Sequence, residues 1–220
     1  MGERGSLEER IVDLIHERGL AAGELLPTEP QLVSLLGAGR NSVREAIRAL
    51  QALGIVEIRH GRGTFVGEAP LEVFTPSLSF RIRSGQGGIA ALRDLVEVRE
   101  LLEVGLIGEI ARTISPAKLS ALDALVRRMG DDPEADRAFH ALLSESYGNQ
   151  LVLQLIQLFW DVYHSVQADL PRPADRAAEI EARHDRIVAA LRARDPRAAQ
   201  EAMRRHFTEV KDRIRKADDR

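Results

Sequence analysis

Asp136, His140, His184 and His206 are the residues of this chain whose types and settings could carry chemistry. Asp136 and His140 lie four apart in a predicted helix over 133–147, so carboxylate and imidazole stand one above the other on the face shared with Phe139 and Leu143. His184 falls between Ile180 and Ile187/Val188 on a predicted helix over 174–193. His206 falls between Met203 and Val210 on another over 196–217. Each polar group interrupts an apolar stripe. An ionised aspartate is costly to bury alone, and a divalent metal would satisfy all four groups, through the Asp136 oxygen and three neutral imidazoles. Taken singly, each histidine also fits a partly buried core residue bonded to a carbonyl or carboxylate. Zinc is the first expectation for the ion, with nickel, manganese or iron as alternatives, because a His3Asp set can close a tetrahedron or leave positions open on a six-coordinate ion.

An open position would let an effector carboxylate reach the metal, and Arg99 points the same way. On a helix over 91–113 it lines up with Leu92, Leu95, Leu102 and Leu106, so its guanidinium faces the interior and needs an anion there. The anion could be a small carboxylate effector; the alternatives are a salt bridge to Asp136 or Glu100, or a side chain that snorkels past the stripe.

Helices must position these groups, and their caps mark them out. Ser115-Pro116, Asp132-Pro133 and Asp195-Pro196 each pair an N-cap with proline at the first helical position, while Gly130 and Gly148 sit where helices end. The predicted helices run over about 91–113, 116–129, 133–147, 150–169, 174–193 and 196–217, with no strand among them. Residues 91–220 therefore read as an all-α bundle. Trp160, with Leu155, Ile156, Phe159 and Tyr163, reads as bundle core or dimer surface; His16 and His164 read as structural or exposed, and Asn149 as a helix cap.

Residues 1–68 follow other rules. A first helix over Ser6 to Arg18 carries Ile11, Leu14 and Ile15 inward. Thr28 with Gln31 forms a capping box, and Pro30 falls in the first turn of a second short helix with Leu32, Leu35 and Leu36 inward. Gly37-Ala38-Gly39 makes the turn to a third helix, whose inner face is Val43, Ile47, Leu50 and Leu53 and whose outer groups are Arg40, Asn41, Ser42, Arg44 and Arg48. Ile55 to Arg59 and Thr64 to Val66 read as paired strands around His60-Gly61-Arg62-Gly63. The product is a winged helix-turn-helix, three helices plus a β-hairpin wing, joined through a linker over 69–90 to the bundle. The overall class is mainly α. Thr28, Arg40, Asn41, Ser42, Arg44, Arg48, Arg59, His60, Gly61 and Arg62 are the candidate DNA contacts.

Net charge does not announce a nucleic-acid partner, since residues 1–69 hold 8 Arg against 10 Asp plus Glu, a balance of −2. The basic signal is local: between Arg40 and Arg62 five Arg face Glu45 and Glu57, a balance of +3 on the two elements that would meet the grooves. Cysteine is absent, no apolar leader follows the first Met, and the most apolar run, Leu151 to Val166, is broken by Gln154, Gln157, Asp161 and His164. A soluble, cytoplasmic protein is expected.

The run LPTEPQLVSLLGAGRNSVREAIRALQALGIVEIRHGRGTFV resembles the N-terminal domain of GntR-type bacterial transcription regulators. That resemblance implies DNA contact by Arg40, Asn41, Ser42, Arg44, His60 and Gly61. Pro30 stands where the family often has a DNA-touching arginine, and Gly39 where a serine usually caps the recognition helix, a weaker cap. The helical half resembles the FCD ligand-sensing domain of the FadR branch, which implies metal ligation by Asp136, His140, His184 and His206. The expected protein is thus a homodimeric, ligand-responsive regulator, usually a repressor in this family, that reads a pseudo-palindromic operator. Alternatives are a regulator with a purely structural metal or an acyl-coenzyme A effector and, from another class, a metal-dependent hydrolase, although no extra Glu or His is placed as its general base.

Overall fold

The computed structural model describes residues 5–84, 88–132, 134–166 and 177–218. They form two compact units, Met1–Val73 and Phe74–Arg220, each around its own apolar cluster.

In the first unit α1 (Leu7–Glu17), α2 (Glu29–Leu36) and α3 (Arg40–Ala52) precede a two-stranded hairpin of β1 (Val56–Arg59) and β2 (Gly63–Val66). The expected caps account for the helix starts. Ser6 and Glu9 form a capping box on α1, and Gln31 Oε1 accepts from both the Thr28 amide (2.8 Å) and the Thr28 hydroxyl (2.9 Å) ahead of α2. Left-handed Gly37 stops α2, and Gly39, with no side chain to offer, precedes α3. Ile11, Leu32, Val43, Ile47 and Leu50 fill the core, each such side chain contributing about 1.5–3 kcal/mol of burial. Two expected core residues are not there: Leu35 is 50% and Leu53 45% exposed. Each sits at its helix end, where the stripe has rotated away, and Ala46 instead completes the inner face of α3.

The hairpin pairs Val56 with Val66 and Arg59 with Gly63, antiparallel. It has a neighbour the sequence did not suggest: Leu25 bridges to Phe65, with Leu26 N–H donating to Thr64 O and Val66 N–H to Glu24 O, both at 2.8 Å. Where the chain leaves the wing, a Cβ on Gly67 would stand 2.0 Å from the Gly54 carbonyl oxygen, so only glycine permits that backbone approach.

The second unit holds α4 (Thr75–Arg83), α5 (Gly88–Thr113), α6 (Pro116–Val126), α7 (Glu134–Tyr147), α8 (Gln150–Val166), α9 (Ala177–Arg192) and α10 (Pro196–Asp218). The segment read as a linker over 69–90 is thus largely ordered: a 3-10 turn at Leu71–Phe74 leads into α4, which packs on α8 and α5 through Ile82 and a Ser79–Ser165 hydroxyl bond of 2.7 Å. Its prolines and glycines punctuate helices rather than prevent them. The expected caps recur at Ser115, Asn149 and Asp195, each side-chain oxygen accepting from amides two or three residues on. Pro133 and the parts of the predicted helices 150–169 and 174–193 within 167–176 lie outside the described residues. α5 runs against α10, and α7, α8 and α9 complete the packing around Phe139, Ile156, Ile187, Leu191 and Phe207.

Candidate metal centre and nucleic-acid interface

The bundle brings the four predicted ligands together. One ligand atom from each of Asp136 and His140 on α7, His184 on α9 and His206 on α10 lies within 4.8 Å of the others. His140 Nε2 is 3.1 Å from His206 Nε2 and 3.3 Å from Asp136 Oδ1, and His184 Nε2 is 3.0 Å from the same Oδ1. Ligands about 2.0–2.1 Å from zinc stand roughly 3.3 Å apart across a tetrahedron and roughly 2.9 Å across an octahedral edge. The three separations fall in that range.

The outward nitrogens set the tautomers. His184 Nδ1–H donates to the Ile180 carbonyl at 2.8 Å, and His140 Nδ1–H donates to Glu103 Oε2. Both Nε2 atoms then carry lone pairs, and those lone pairs face one another's neighbours and an acceptor-only carboxylate. Only a cation or added protons reconcile such a cluster, so the residues fit a divalent ion. Burial sharpens the need: the side chains of His140 and His184 are 0% and 1% exposed, His206 is 8% exposed, and Asp136 alone opens to solvent, at 33%.

The electrostatics agree. For His206, burial and then the neighbouring His184 and His140 hold its imidazole well below its ordinary range, in the neutral form a metal requires. Burial pushes the Asp136 carboxyl up, but the His140 and His184 imidazoles beside it outweigh burial and hold the group well below the usual carboxylate range. His140 is pulled down by burial and Arg99 and raised more by Glu103 and Asp136, ending above its ordinary value.

Arg99 is buried on α5, as its stripe suggested, but its partner is neither Asp136 nor Glu100. Its Nε–H donates to Glu103 Oε1 at 2.6 Å, while Glu100 pairs with Lys211 at 2.7 Å. The guanidinium lies over the rings of Trp160 (4.2 Å) and Phe207 (5.2 Å). Sequence reasoning missed Glu103, although its place was available: it follows Arg99 by four residues and Val96 by seven, a carboxylate on an apolar helix face. Trp160 is core, and its ring lies 5.6 Å from that of His140. Among the described residues Arg99 Nη2, Trp160 Nε1 and His206 Nδ1 are buried polar atoms with no hydrogen-bond partner.

The other set of predicted residues lies on the first unit. Thr28, Arg40, Asn41, Ser42, Arg44, Arg48, His60, Gly61 and Arg62 are exposed and Arg59 half-buried. α3 carries its cations on the face opposite Val43, Ile47 and Leu50. Three cations are held by carboxylates: Arg44 by Glu29 at 3.0 Å, Arg48 by Glu45 at 2.9 Å and Arg59 by Glu57 at 2.8 Å. Arg59 also lies 4.4 Å over the Phe65 ring, which orients it along the wing. Left-handed Gly61 makes the wing tip.

Comparison with known proteins agrees with both halves. Residues 4–66 match the family of bacterial regulatory proteins called gntR, and residues 94–209 match the FCD domain. The chain is similar to the HTH-type transcriptional regulator YcbG of Bacillus subtilis, at 30% identity over 96% of this chain and 89% of that one. It is 30% identical to the transcriptional repressor NanR of Cronobacter sakazakii over 93% and 82%, and 28% identical to LutR of Bacillus subtilis over 90% and 95%. Among solved structures, a GntR protein of Streptococcus agalactiae superposes with a TM-score of 0.66 at 28% identity, covering 94% of this chain and 97% of that one.

Proposed function

Because the chain belongs to the GntR family of bacterial transcription regulators and joins its helix-turn-helix to an FCD domain, it is a DNA-binding regulator; we propose that it is a homodimeric repressor that senses a small carboxylate at a metal held by Asp136, His140, His184 and His206. The observation that carries the metal is the convergence of imidazole lone pairs on one carboxylate, with the opposite nitrogens of His140 and His184 already spent on outward hydrogen bonds. Zinc suits the His3Asp set, and a position left open on the ion would take the effector carboxylate. Arg99 Nη2, buried beside the cluster with no partner, supports an anion there. In the cytoplasm, Arg40, Asn41, Ser42 and Arg44 would read bases and phosphates, with Thr28, Arg48, Arg59, His60, Gly61 and Arg62 fixing register. Residues 1–68 would be the reader and 91–220 the sensor, with α4, from the segment between them, packed on the sensor's α5 and α8.

Two readers per dimer would meet half-sites about 10 base pairs apart. Support for pairing through the bundle comes from α4 and α5, where Phe80 is 74% and Leu101 68% exposed. Beside them lies a groove of about 200 Å³ lined by Leu78, Ile82, Leu95, Val98 and Phe159, together with Arg81 and Asp94. A two-fold could set apolar knobs against apolar groove and Arg81 against the partner's carboxylate.

The test joins metal to DNA. Zinc content by elemental analysis should fall from one ion per chain to none in His184→Ala and His206→Ala, and small carboxylates should weaken operator binding only in the metal-loaded wild type. Unchanged metal content in both variants would sink the assignment.

A further inference from the structure

We propose that Glu103 is the positioning residue of this centre: it fixes His140 as an Nε2 ligand and ties it to Arg99. The inference rests on the metal reading above, and extends it to a residue that is not one of the four ligands.

Both oxygens of Glu103 are committed, Oε2 to His140 Nδ1–H and Oε1 to Arg99 Nε–H at 2.6 Å, and the side chain is 5% exposed. Glu103 is not one of the four residues whose ligand atoms converge. A carboxylate on Nδ1 allows one neutral tautomer, with the Nε2 lone pair aimed at the ion, and it raises the donor strength of that nitrogen. The other two histidines are supported differently. His184 gives its Nδ1–H to a backbone carbonyl at 2.8 Å, and His206 Nδ1 has no hydrogen-bond partner among the described residues. Among the three described imidazoles of the cluster, His140 is therefore the one whose Nδ1 is anchored by a carboxylate, and that anchor reaches from α5 to α7, 37 residues apart. Arg99 holds Glu103 in place through its Nε–H, with its guanidinium over the rings of Trp160 and Phe207.

The chain Arg99–Glu103–His140 thus runs from the candidate anion-binding atom to the candidate ion. An acceptor taken up by Arg99 Nη2 would act on the metal through Glu103 without touching it.

The experiment uses the full chain and zinc alone. Glu103→Gln places an amide against Nδ1 whose NH2 can favour the wrong tautomer, and zinc affinity by chelator competition should fall roughly 10–100-fold. Since that variant leaves the Arg99 charge unpaired, the double variant Arg99→Met/Glu103→Gln removes both partners and guards against misfolding. It should lose affinity over the same range, and the low-field Nδ1 proton resonance of His140 in the zinc-loaded protein should move upfield or vanish. Glu100→Gln, whose carboxylate pairs with Lys211 on α10, should leave both readouts unchanged. Wild-type affinity and an unmoved His140 resonance in the folded double variant would overturn the role of Glu103 alone. A wild type that takes up no zinc would overturn the metal reading and this inference with it.

Discussion

The two units place their working residues in opposite surroundings. In the winged unit the candidate contacts, Arg59 apart, are exposed and several are adjacent in sequence, and three of its cations lie in ion pairs open to water. In the bundle the candidate ligands come from three helices, span 70 residues from Asp136 to His206, and three of the four are buried. Exposed pairs are worth little and are exchanged readily for phosphate, which suits a surface that must alternate partners. Buried polar groups are stable only when every lone pair is answered, which would suit a site built for one ion in one geometry.

That contrast orders the expected effects of substitution. The largest is Phe139→Ala. Its side chain is fully buried, with ring centroids 5.5 Å from His140 and 4.9 Å from His184, so truncation should cost about 3–5 kcal/mol in denaturant unfolding of the bundle and loosen zinc as well. A cost under about 1 kcal/mol would mean the bundle collapses around the gap and is not the rigid partner in the comparison. Next comes Arg44→Ala, for which operator affinity at fixed salt should fall roughly tenfold to a hundredfold while zinc content stays at the wild-type level. Lost zinc in that variant would break the independence of the two regions. Phe80→Asp should shift the chain toward monomer in light scattering at micromolar concentration and weaken operator binding through lost pairing, with the bundle still folded. Persistence of the dimer would move the interface off α4 and α5. The smallest effect belongs to Arg62→Ala at the wing tip, which should lower the salt dependence of binding by about one phosphate's worth and leave sequence preference intact. A changed preference would make the wing a base reader.

The same contrast explains what the sequence made legible. Caps, turn glycines and the two helical stripes of the reader are local, and they predicted α1, α2, α3 and the hairpin closely. Leu35 and Leu53 were misplaced because periodicity holds poorly in the last turn, where no following residue fixes the face. The Leu25–Phe65 bridge was invisible, being a pairing across 40 residues with no strand pattern on its first side. In the bundle, polar interruptions of apolar stripes located Asp136, His140, His184, His206 and Arg99. Glu103 escaped because the sequence offered Asp136 and the adjacent Glu100 as partners for Arg99, whereas helix geometry favours the fourth residue on. Prolines and glycines between 69 and 90 suggested a linker with one short ordered piece, and the whole of α4 lies inside it. Proline in a first turn is compatible with a helix, and Pro76 is so placed.

The bridge between Leu25 and Phe65 also bears on the entropy of recognition. A free hairpin arriving at a groove must surrender backbone freedom at roughly 1–2 kcal/mol for each residue that it orders. Here β2 is held on both sides, by β1 and by the strip Gly23–Leu26, whose amides and carbonyls bond to Thr64 and Val66 at 2.8 Å. The cost is met during folding, and only the tip at His60, Gly61 and Arg62 remains to be stilled by DNA. Amide exchange should therefore be slow at Leu26 and Val66 in the free protein and change little when operator is added, with the added protection confined to the tip. The wing would then act as a prepaid contact, improving the persistence of the complex more than the speed of its formation.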